Sequence, residues 1–483
     1  MATPDNFIVA IEIGSSKVTA IAGKKEPDGG IKVLALAQEP STTFIRKGRI
    51  NNINKMSQCI LNIKERLEKK LQKNICRVYV GIGGMGMHTV ANTIVRNLGS
   101  KMEVTQEMID SISDENRSSA TPDRDILEAI PQEFKLGTQL QNEPVGMLTE
   151  SIEGRYLNIV ANSSVKEEIR NCFHSANVAI ADLPITVQAL ADTMLTESER
   201  RSGCVFIDMG AETTSVAVYK NNLLRHLATI PLGGANINRD IMSLQIEDDE
   251  AEKLKLMYGT AIADNEDETQ AAAIQLNDGR SVKFEEFCGL VEAREEEIVM
   301  NINNQITLSK YTKESLIGGL IVTGGASNMR NIKKLFETVT GFDKIRFVRN
   351  INLQVRPPKD VPDFNRDGSF FAAIALIDKG TENCCGGDLG TAQPQIFPTE
   401  EQKAEEERKR LEEEERLREE ERKREEEEAE RLRLEEEQRL AEEKKKKRSE
   451  GFRKFFNTKH FTHFFVVVIL RLSNTFIFEY RDF

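Results

Sequence analysis

The sequence predicts an α/β protein built from two related halves that hold a ligand between them. Two apolar β-hairpins, at residues 8–23 and 203–219, carry this prediction. They align at a constant offset of 196 positions, so that Glu12 falls on Asp208. An internal repeat of this length indicates a duplicated domain.

Each hairpin places an acid and a turn of glycine and hydroxyl residues between two apolar strands. Such a turn can present a row of free backbone N–H groups to an anion, and we expect its glycine to adopt φ > 0. The acid suits a hydrated Mg²⁺ held over phosphates. A single hairpin of this kind is more often an ordinary turn, and the second copy favours a phosphate site. The candidate phosphate-binding residues are Gly14, Ser15, Ser16, Lys17, Gly210, Thr213 and Thr214.

A third stretch, residues 319–338, reads as a buried strand, a Gly-Gly turn at Gly324–Gly325 and an amphipathic helix. We expect that helix to begin directly after the turn, where its first N–H groups would be free for a ligand. A second Gly-Gly turn, at 233–234, precedes another predicted helix start that could receive phosphate or ribose hydroxyls.

Together the three stretches resemble the two phosphate motifs and the adenosine motif of the actin/sugar kinase/heat-shock-70 ATPase superfamily. More narrowly, IPQEF at 130–134, PVGM at 144–147 and VEAREEEI at 291–298 are similar to FtsA, the bacterial cell-division actin homologue. The resemblance covers roughly residues 6–380. It implies a duplicated actin-like ATPase fold with a nucleotide cleft between its halves.

The resemblance also implies a site and a function. ATP and Mg²⁺ are the implied ligands, with Glu12 and Asp208 as the acids that hold the metal through water and serve catalysis. The implied adenosine-binding residues are Gly234, Glu297, Gly324, Gly325 and Ser327. The implied role is a self-polymerising adaptor that ties the filament of the tubulin-like protein FtsZ to the inner membrane at the division septum. It would recruit later division proteins through an inserted subdomain.

The expected domain organisation combines the repeat with the resemblance. The boundaries are 1–83 for the first half (continued by 166–200 and 368–385), 84–165 for the inserted subdomain, 201–233 for the second half (continued by 306–367), 234–305 for a small subdomain, 386–400 for a linker, 401–448 for a charged segment and 449–483 for a membrane-targeting tail.

Composition narrows the function classes. The net charge is −12 over 483 residues and much of the charge lies in 401–448, so we expect no nucleic-acid partner. Seven cysteines without CxxC spacing argue against a disulfide framework or a structural zinc site and favour a reducing cytosol. No secretory signal and no apolar run of 20 residues is present.

The charged segment 401–448 is rich in Glu→Arg pairs at i,i+4 spacing, such as Glu406–Arg410 and Glu435–Arg439. Its leucines keep no heptad, which disfavours a coiled coil. The segment is therefore predicted as a single exposed helix about 70 Å long, or as a disordered linker.

The tail combines basic charge with aromatic rings. The predicted membrane contacts are Phe452, Phe455 and Phe456 on one helical face, beside Arg453 and Lys454. This pattern suits an anionic membrane surface. Residues 464–470 form an apolar run of seven, too short to span a bilayer. The remainder of the tail is open to three readings: a genuine extension, a second membrane contact or a displaced reading frame.

Two other functions share the superfamily. A sugar or metabolite kinase would need its own base for a substrate hydroxyl, and the sequence shows no motif for one. A chaperone-type ATPase would carry a β-rich domain after residue 385, where the charged segment stands instead. The superfamily usually has Asp where this chain has Glu12, and the extra methylene shifts the carboxylate by more than about 1 Å. We therefore expect ATP to bind and, at most, slow hydrolysis.

Overall fold

A computed structural model of the chain describes residues 6–119, 123–262, 273–358 and 368–388. The predicted charged segment at 401–448 and the membrane-targeting tail at 449–483 lie outside the described residues. Within the described part, none of the helices combines the length and apolar character that a membrane crossing requires.

The helices are α1 (Ile53–Leu71), α2 (Gln106–Ser118), α3 (Ser164–Ser175), α4 (Thr186–Met194), α5 (Glu197–Ser202), α6 (Gly234–Met242), α7 (Asp248–Tyr258), α8 (Phe284–Leu308), α9 (Ile332–Thr340) and α10 (Phe371–Lys379). The strands are β1 (Ile8–Ile13), β2 (Lys17–Lys25), β3 (Ile31–Pro40), β4 (Ile45–Arg46), β5 (Arg49–Ile50), β6 (Lys73–Ile75), β7 (Arg77–Gly81), β8 (His88–Glu103), β9 (Arg124–Leu136), β10 (Gln139–Gln141), β11 (Leu148–Asn162), β12 (Ala179–Asp182), β13 (Cys204–Met209), β14 (Thr214–Lys220), β15 (Leu223–Ile230), β16 (Ala273–Gln275), β17 (Ser281–Lys283), β18 (Gly319–Thr323), β19 (Ile345–Phe347), β20 (Val355–Arg356) and β21 (Cys385–Asp388).

The predicted duplication is visible in the strand order. One sheet runs β12-β7-β1-β2-β3-β20, and the other contains β19-β18-β13-β14-β15, so the two share a five-strand pattern. In both, the hairpin strands are antiparallel and the next strands are parallel. The registers also match, since Glu12 pairs with Thr19 as Asp208 pairs with Ser215. The predicted fold class of two related α/β halves is confirmed.

The segment between β7 and α3 forms its own antiparallel sheet of β10-β9-β11-β8. It joins the edge of the second half's sheet through one pairing, Ala228 with His88. Helix α2 packs on this sheet around a small apolar core in which the Phe134 and Tyr156 rings meet edge to face, 6.2 Å between centroids. The segment therefore has its own apolar core, as expected for an inserted subdomain.

Local sequence accounts for the main helix of the first half. Helix α1 starts after Asn52, whose side chain accepts a hydrogen bond from the Lys55 N–H at 3.0 Å. Its apolar face is buried, including Met56, Ile60 and Ile63. This face packs against the sheet of the first half.

Candidate functional site

A cavity of about 850 Å³ lies between the two halves. It is bounded by the turns of both hairpins, the glycine turn after β18 and the helices α6, α7 and α8. Most of the predicted site residues line it: Glu12, Gly14, Ser15, Ser16, Lys17, Asp208, Gly210, Thr213, Gly234, Gly324 and Gly325. The structure therefore brings both repeats of the motif to one cavity.

Three predicted site residues do not line the cavity. Thr214 is buried and its hydroxyl donates to the Leu232 carbonyl at 2.9 Å. The Ser327 hydroxyl donates to the Gly324 carbonyl at 2.7 Å and so closes its own turn. Glu297 lies on the exposed face of α8 and pairs with Arg294. Each of these three side chains is bonded to another residue of the protein.

The two hairpin acids face the same space. The pKa of Glu12 is raised to about 7, chiefly by burial and then by the negative charge of Asp208, against the opposing effects of Lys17 and Thr19. Burial raises the pKa of Asp208 to about 6. Burial disfavours the ionised form of both acids, and the charge of Asp208 adds to this effect at Glu12. A divalent cation would neutralise the charge that the two carboxylates carry.

Close packing, rather than backbone conformation, explains the hairpin glycines. The prediction that they adopt φ > 0 is wrong, because neither Gly14 nor Gly210 has a positive φ. A Cβ on Gly14 would lie 2.6 Å from the Lys17 carbonyl oxygen, and one on Gly210 would lie 2.9 Å from the Thr213 carbonyl oxygen. The turns are too tight for any side chain at these positions.

The glycine turn after β18 does require a positive φ. Gly324 has φ of +92°, and an added Cβ would lie 2.3 Å from the Met209 carbonyl oxygen and 2.7 Å from Asp208 Oδ1. The predicted helix start directly after this turn is wrong, since a 3-10 turn occupies Gly325–Asn328 and α9 begins at Ile332. Gly324 therefore lets the third segment approach the second acid closely.

The N–H groups at the start of α6 are already used. Gly234 N–H donates to the Gly210 carbonyl at 3.1 Å, and Ala235 N–H donates to the Ala211 carbonyl at 2.7 Å. Gly233 N–H donates to the Asn236 side chain at 3.1 Å. The prediction that this helix start receives phosphate or ribose through these N–H groups is not supported. Its bonds hold the second hairpin turn in place.

Sequence reasoning missed Glu295. It lies on the apolar stripe of α8 together with Val291, Ile298 and Ile302, is fully buried, and lines the cavity. Neither of its carboxylate oxygens has a hydrogen-bond partner among the described residues. Burial raises the pKa of Glu295 to about 8 against the opposing charge of Lys255. The sequence could have indicated this residue, because it is an acid at a position of the helix where the apolar spacing predicts a buried side chain.

The raised pKa of Glu295 has a measurable consequence for stability. Because the folded protein holds this proton more tightly than the unfolded chain, the free energy of unfolding falls as pH rises towards 8. Between pH 6 and pH 9, we expect the free energy of unfolding of the wild type to fall by roughly 3 kcal/mol relative to that of Glu295→Gln. Urea denaturation at both pH values measures this, with Glu296→Gln, an exposed neighbour, as the control. Equal pH dependence in wild type and Glu295→Gln would contradict the assignment.

A duplicated α/β fold with two opposed acids and three glycine turns around one cavity defines a protein of the actin-like fold. Among solved structures, the chain is similar to a PilM–PilN type IV pilus biogenesis complex with a TM-score of 0.55 and 16% identity. The similarity covers 78% of this chain and 100% of that one. At this identity the likeness concerns the fold alone.

Family comparisons are more specific. Residues 205–375 match the sequence family described as cell division protein FtsA, and residues 84–160 match the SHS2 domain inserted in FtsA. The FtsA of Neisseria meningitidis is 30% identical over 83% of this chain and 96% of its own length. That of Porphyromonas gingivalis is 28% identical over 84% of this chain and 85% of its own length. The chain belongs to the FtsA family of cell-division proteins.

Proposed function

We propose that the chain binds ATP with Mg²⁺ in the cleft between its halves. The observation that carries this proposal is the convergence of Glu12 and Asp208, both with raised pKa, on one cavity edged by two glycine turns. Bound Mg²⁺ supplies positive charge that neutralises the two acids and the phosphates. Lys17, which also lines the cavity, adds a cationic side chain on the first hairpin.

Glu295 extends this proposal to the nucleoside. A carboxyl group that holds its proton at neutral pH can donate one hydrogen bond and accept another. The hydroxyl and amino groups of a nucleoside would satisfy its unpaired oxygens. Glu295 thus takes the place that the sequence assigned to Glu297, two residues further along α8.

Thermal melting with and without Mg²⁺-ATP tests nucleotide binding. A ligand present at about 100 times its dissociation constant adds roughly 2.7 kcal/mol to the stability of the folded state. We expect a higher melting temperature with Mg²⁺-ATP and a smaller rise with ATP in EDTA. An unchanged melting temperature at millimolar Mg²⁺-ATP would refute the site.

Hydrolysis is expected to be slow because of Glu12. Shortening the side chain in Glu12→Asp moves the carboxylate by about 1 Å, and errors of that size change rates up to about 100-fold. We expect phosphate release from Mg²⁺-ATP to be slow in the wild type and faster in Glu12→Asp. Rapid release by the wild type, or no change in the variant that still binds ATP, would contradict this role.

In the cell, we propose that the chain polymerises and ties the FtsZ filament to the cytoplasmic face of the membrane at the septum. Family membership and the basic, aromatic tail support this role. The inserted subdomain exposes large apolar side chains, including Val95, Leu140 and Leu148, which suits contact with other division proteins. Co-flotation of FtsZ filaments with anionic vesicles only when the chain is present would support it. If FtsZ filaments float without the chain, or do not float when the chain is present, the tethering role is contradicted.

A further inference from the structure

A single carboxylate joins three parts of the cleft. Glu212, at the tip of the second hairpin turn, is only 4% exposed. Its Oε1 accepts from Arg46 Nη1 at 3.3 Å and from Arg239 Nη2 at 2.5 Å, and its Oε2 accepts from the Lys47 backbone N–H at 2.6 Å. Arg46 and Lys47 belong to the first half, whereas Arg239 lies on α6.

The first-half loop that supplies two of these contacts packs closely on its neighbours. Lys47 has φ of +51°, and the Gly48 N–H donates to Ser15 Oγ at 2.8 Å. A Cβ on Gly48 would lie 2.5 Å from the Gly84 Cα, so the loop packs directly on the neighbouring glycine turn. The loop is thus tied to the first hairpin, and Arg46 is presented at the cavity.

The two arginines are partly available to a ligand. Their side chains are 56% and 46% exposed, whereas the Glu212 side chain between them is 5% exposed, and all three residues line the cavity. Two guanidinium groups and one backbone N–H around a carboxylate are the donor set that proteins use to bind a phosphate. Glu212 therefore occupies a donor set that fits the end of a polyphosphate.

We propose that Arg46 and Arg239 contact the terminal phosphate of a nucleoside triphosphate, and that Glu212 competes with that phosphate for them. This inference rests on the proposed binding of ATP in the cleft. In this proposal a diphosphate does not reach the arginines and leaves their bonds to Glu212 in place, whereas a triphosphate shares or displaces the carboxylate. Glu212 thereby lowers the preference of the site for triphosphate over diphosphate.

Calorimetric titration of the full chain with ATP and with ADP, both with Mg²⁺, tests the competition. Glu212→Gln keeps the shape of the side chain and removes its charge. We expect this variant to bind ATP about tenfold more tightly than the wild type, with ADP affinity changed less than about twofold. Arg46→Gln and Arg239→Gln, which alter partly exposed side chains, should each weaken ATP binding about tenfold and leave ADP binding nearly unchanged.

Arg49→Gln is the matched control. Arg49 follows in the same loop and pairs with Glu168 at 3.2 Å, but it does not line the cavity. It should leave both affinities unchanged. Equal shifts for ATP and ADP in the Glu212 and arginine variants would overturn the competition and leave nucleotide binding intact. A wild-type chain that binds neither nucleotide would instead overturn the proposed function itself.

Discussion

Replacing Gly324 by alanine is expected to lower the affinity for Mg²⁺-ATP roughly 100-fold, or about 2.8 kcal/mol. The added Cβ would lie 2.3 Å from the Met209 carbonyl oxygen and 2.7 Å from Asp208 Oδ1, so the turn or the acid must move. Since Asp208 is one of the two acids at the cavity, its displacement disturbs the proposed metal position. Calorimetric titration with Mg²⁺-ATP measures the loss.

Gly341→Ala is the control for a glycine that has a positive φ but no close neighbour. Gly341 also has a positive φ, +68°, but a Cβ there meets only Lys313 Nζ, at 3.9 Å. The backbone strain is about 1 kcal/mol for Gly341→Ala, whose φ of +68° and ψ of +11° lie in the left-handed region, and up to about 3 kcal/mol for Gly324→Ala, whose φ of +92° and ψ of +158° are nearly confined to glycine. Stability measurements report both costs. Only Gly324→Ala should weaken ATP binding. If the two variants lose affinity equally, the Gly324 turn does not position the site.

Changing Phe452, Phe455 and Phe456 together to serine is expected to release the protein from anionic vesicles. Burial of each ring contributes about 1.5–3 kcal/mol to membrane binding. Each Lys or Arg near the surface adds about 1 kcal/mol, a contribution that salt screens. Because stable anchoring needs both signals, the basic residues alone should not hold the protein. Vesicle flotation at low and high salt measures the change.

A reciprocal variant controls for general loss of apolar character in the tail. Serine at Phe464, Phe465 and Phe476 removes the same number of rings and should leave flotation intact. If this variant is released and the first is not, the tether lies in 464–478. Loss of ATP binding together with vesicle binding in the first variant would mean that the tail packs on the core, and the tether would be rejected.

The fold class was predictable because its signals are local. The hairpins at 8–23 and 203–219 each combine an apolar strand, an acid and a glycine turn within about fifteen residues. Their equal spacing revealed the duplication, and the matching registers of Glu12 with Thr19 and of Asp208 with Ser215 follow from it. The same local signals identified the two hairpin turns that line the cavity.

The direction of side chains on the later helices was harder to predict. Glu295 and Glu297 stand two residues apart in an acidic run. The apolar spacing of α8 marks Glu295 as inward-facing, but only the packing of the helix shows that its carboxylate lies at the cavity. The fate of the N–H groups at the start of α6 also depended on packing, since the turn at Gly210 accepts from Gly234. The N–H groups that the sequence suggested were free for a ligand are hydrogen-bonded to the second hairpin turn in the fold.

By itself, the sequence determined the two halves, the acids Glu12 and Asp208 and the turns that face each other across the cleft, because each depends on residues close together in the chain. The tertiary structure alone decided the raised pKa values and the contact of Glu212 with Arg46, which joins positions 166 residues apart. Burial and like-charge repulsion act between groups that only folding brings together. No local pattern can therefore report them.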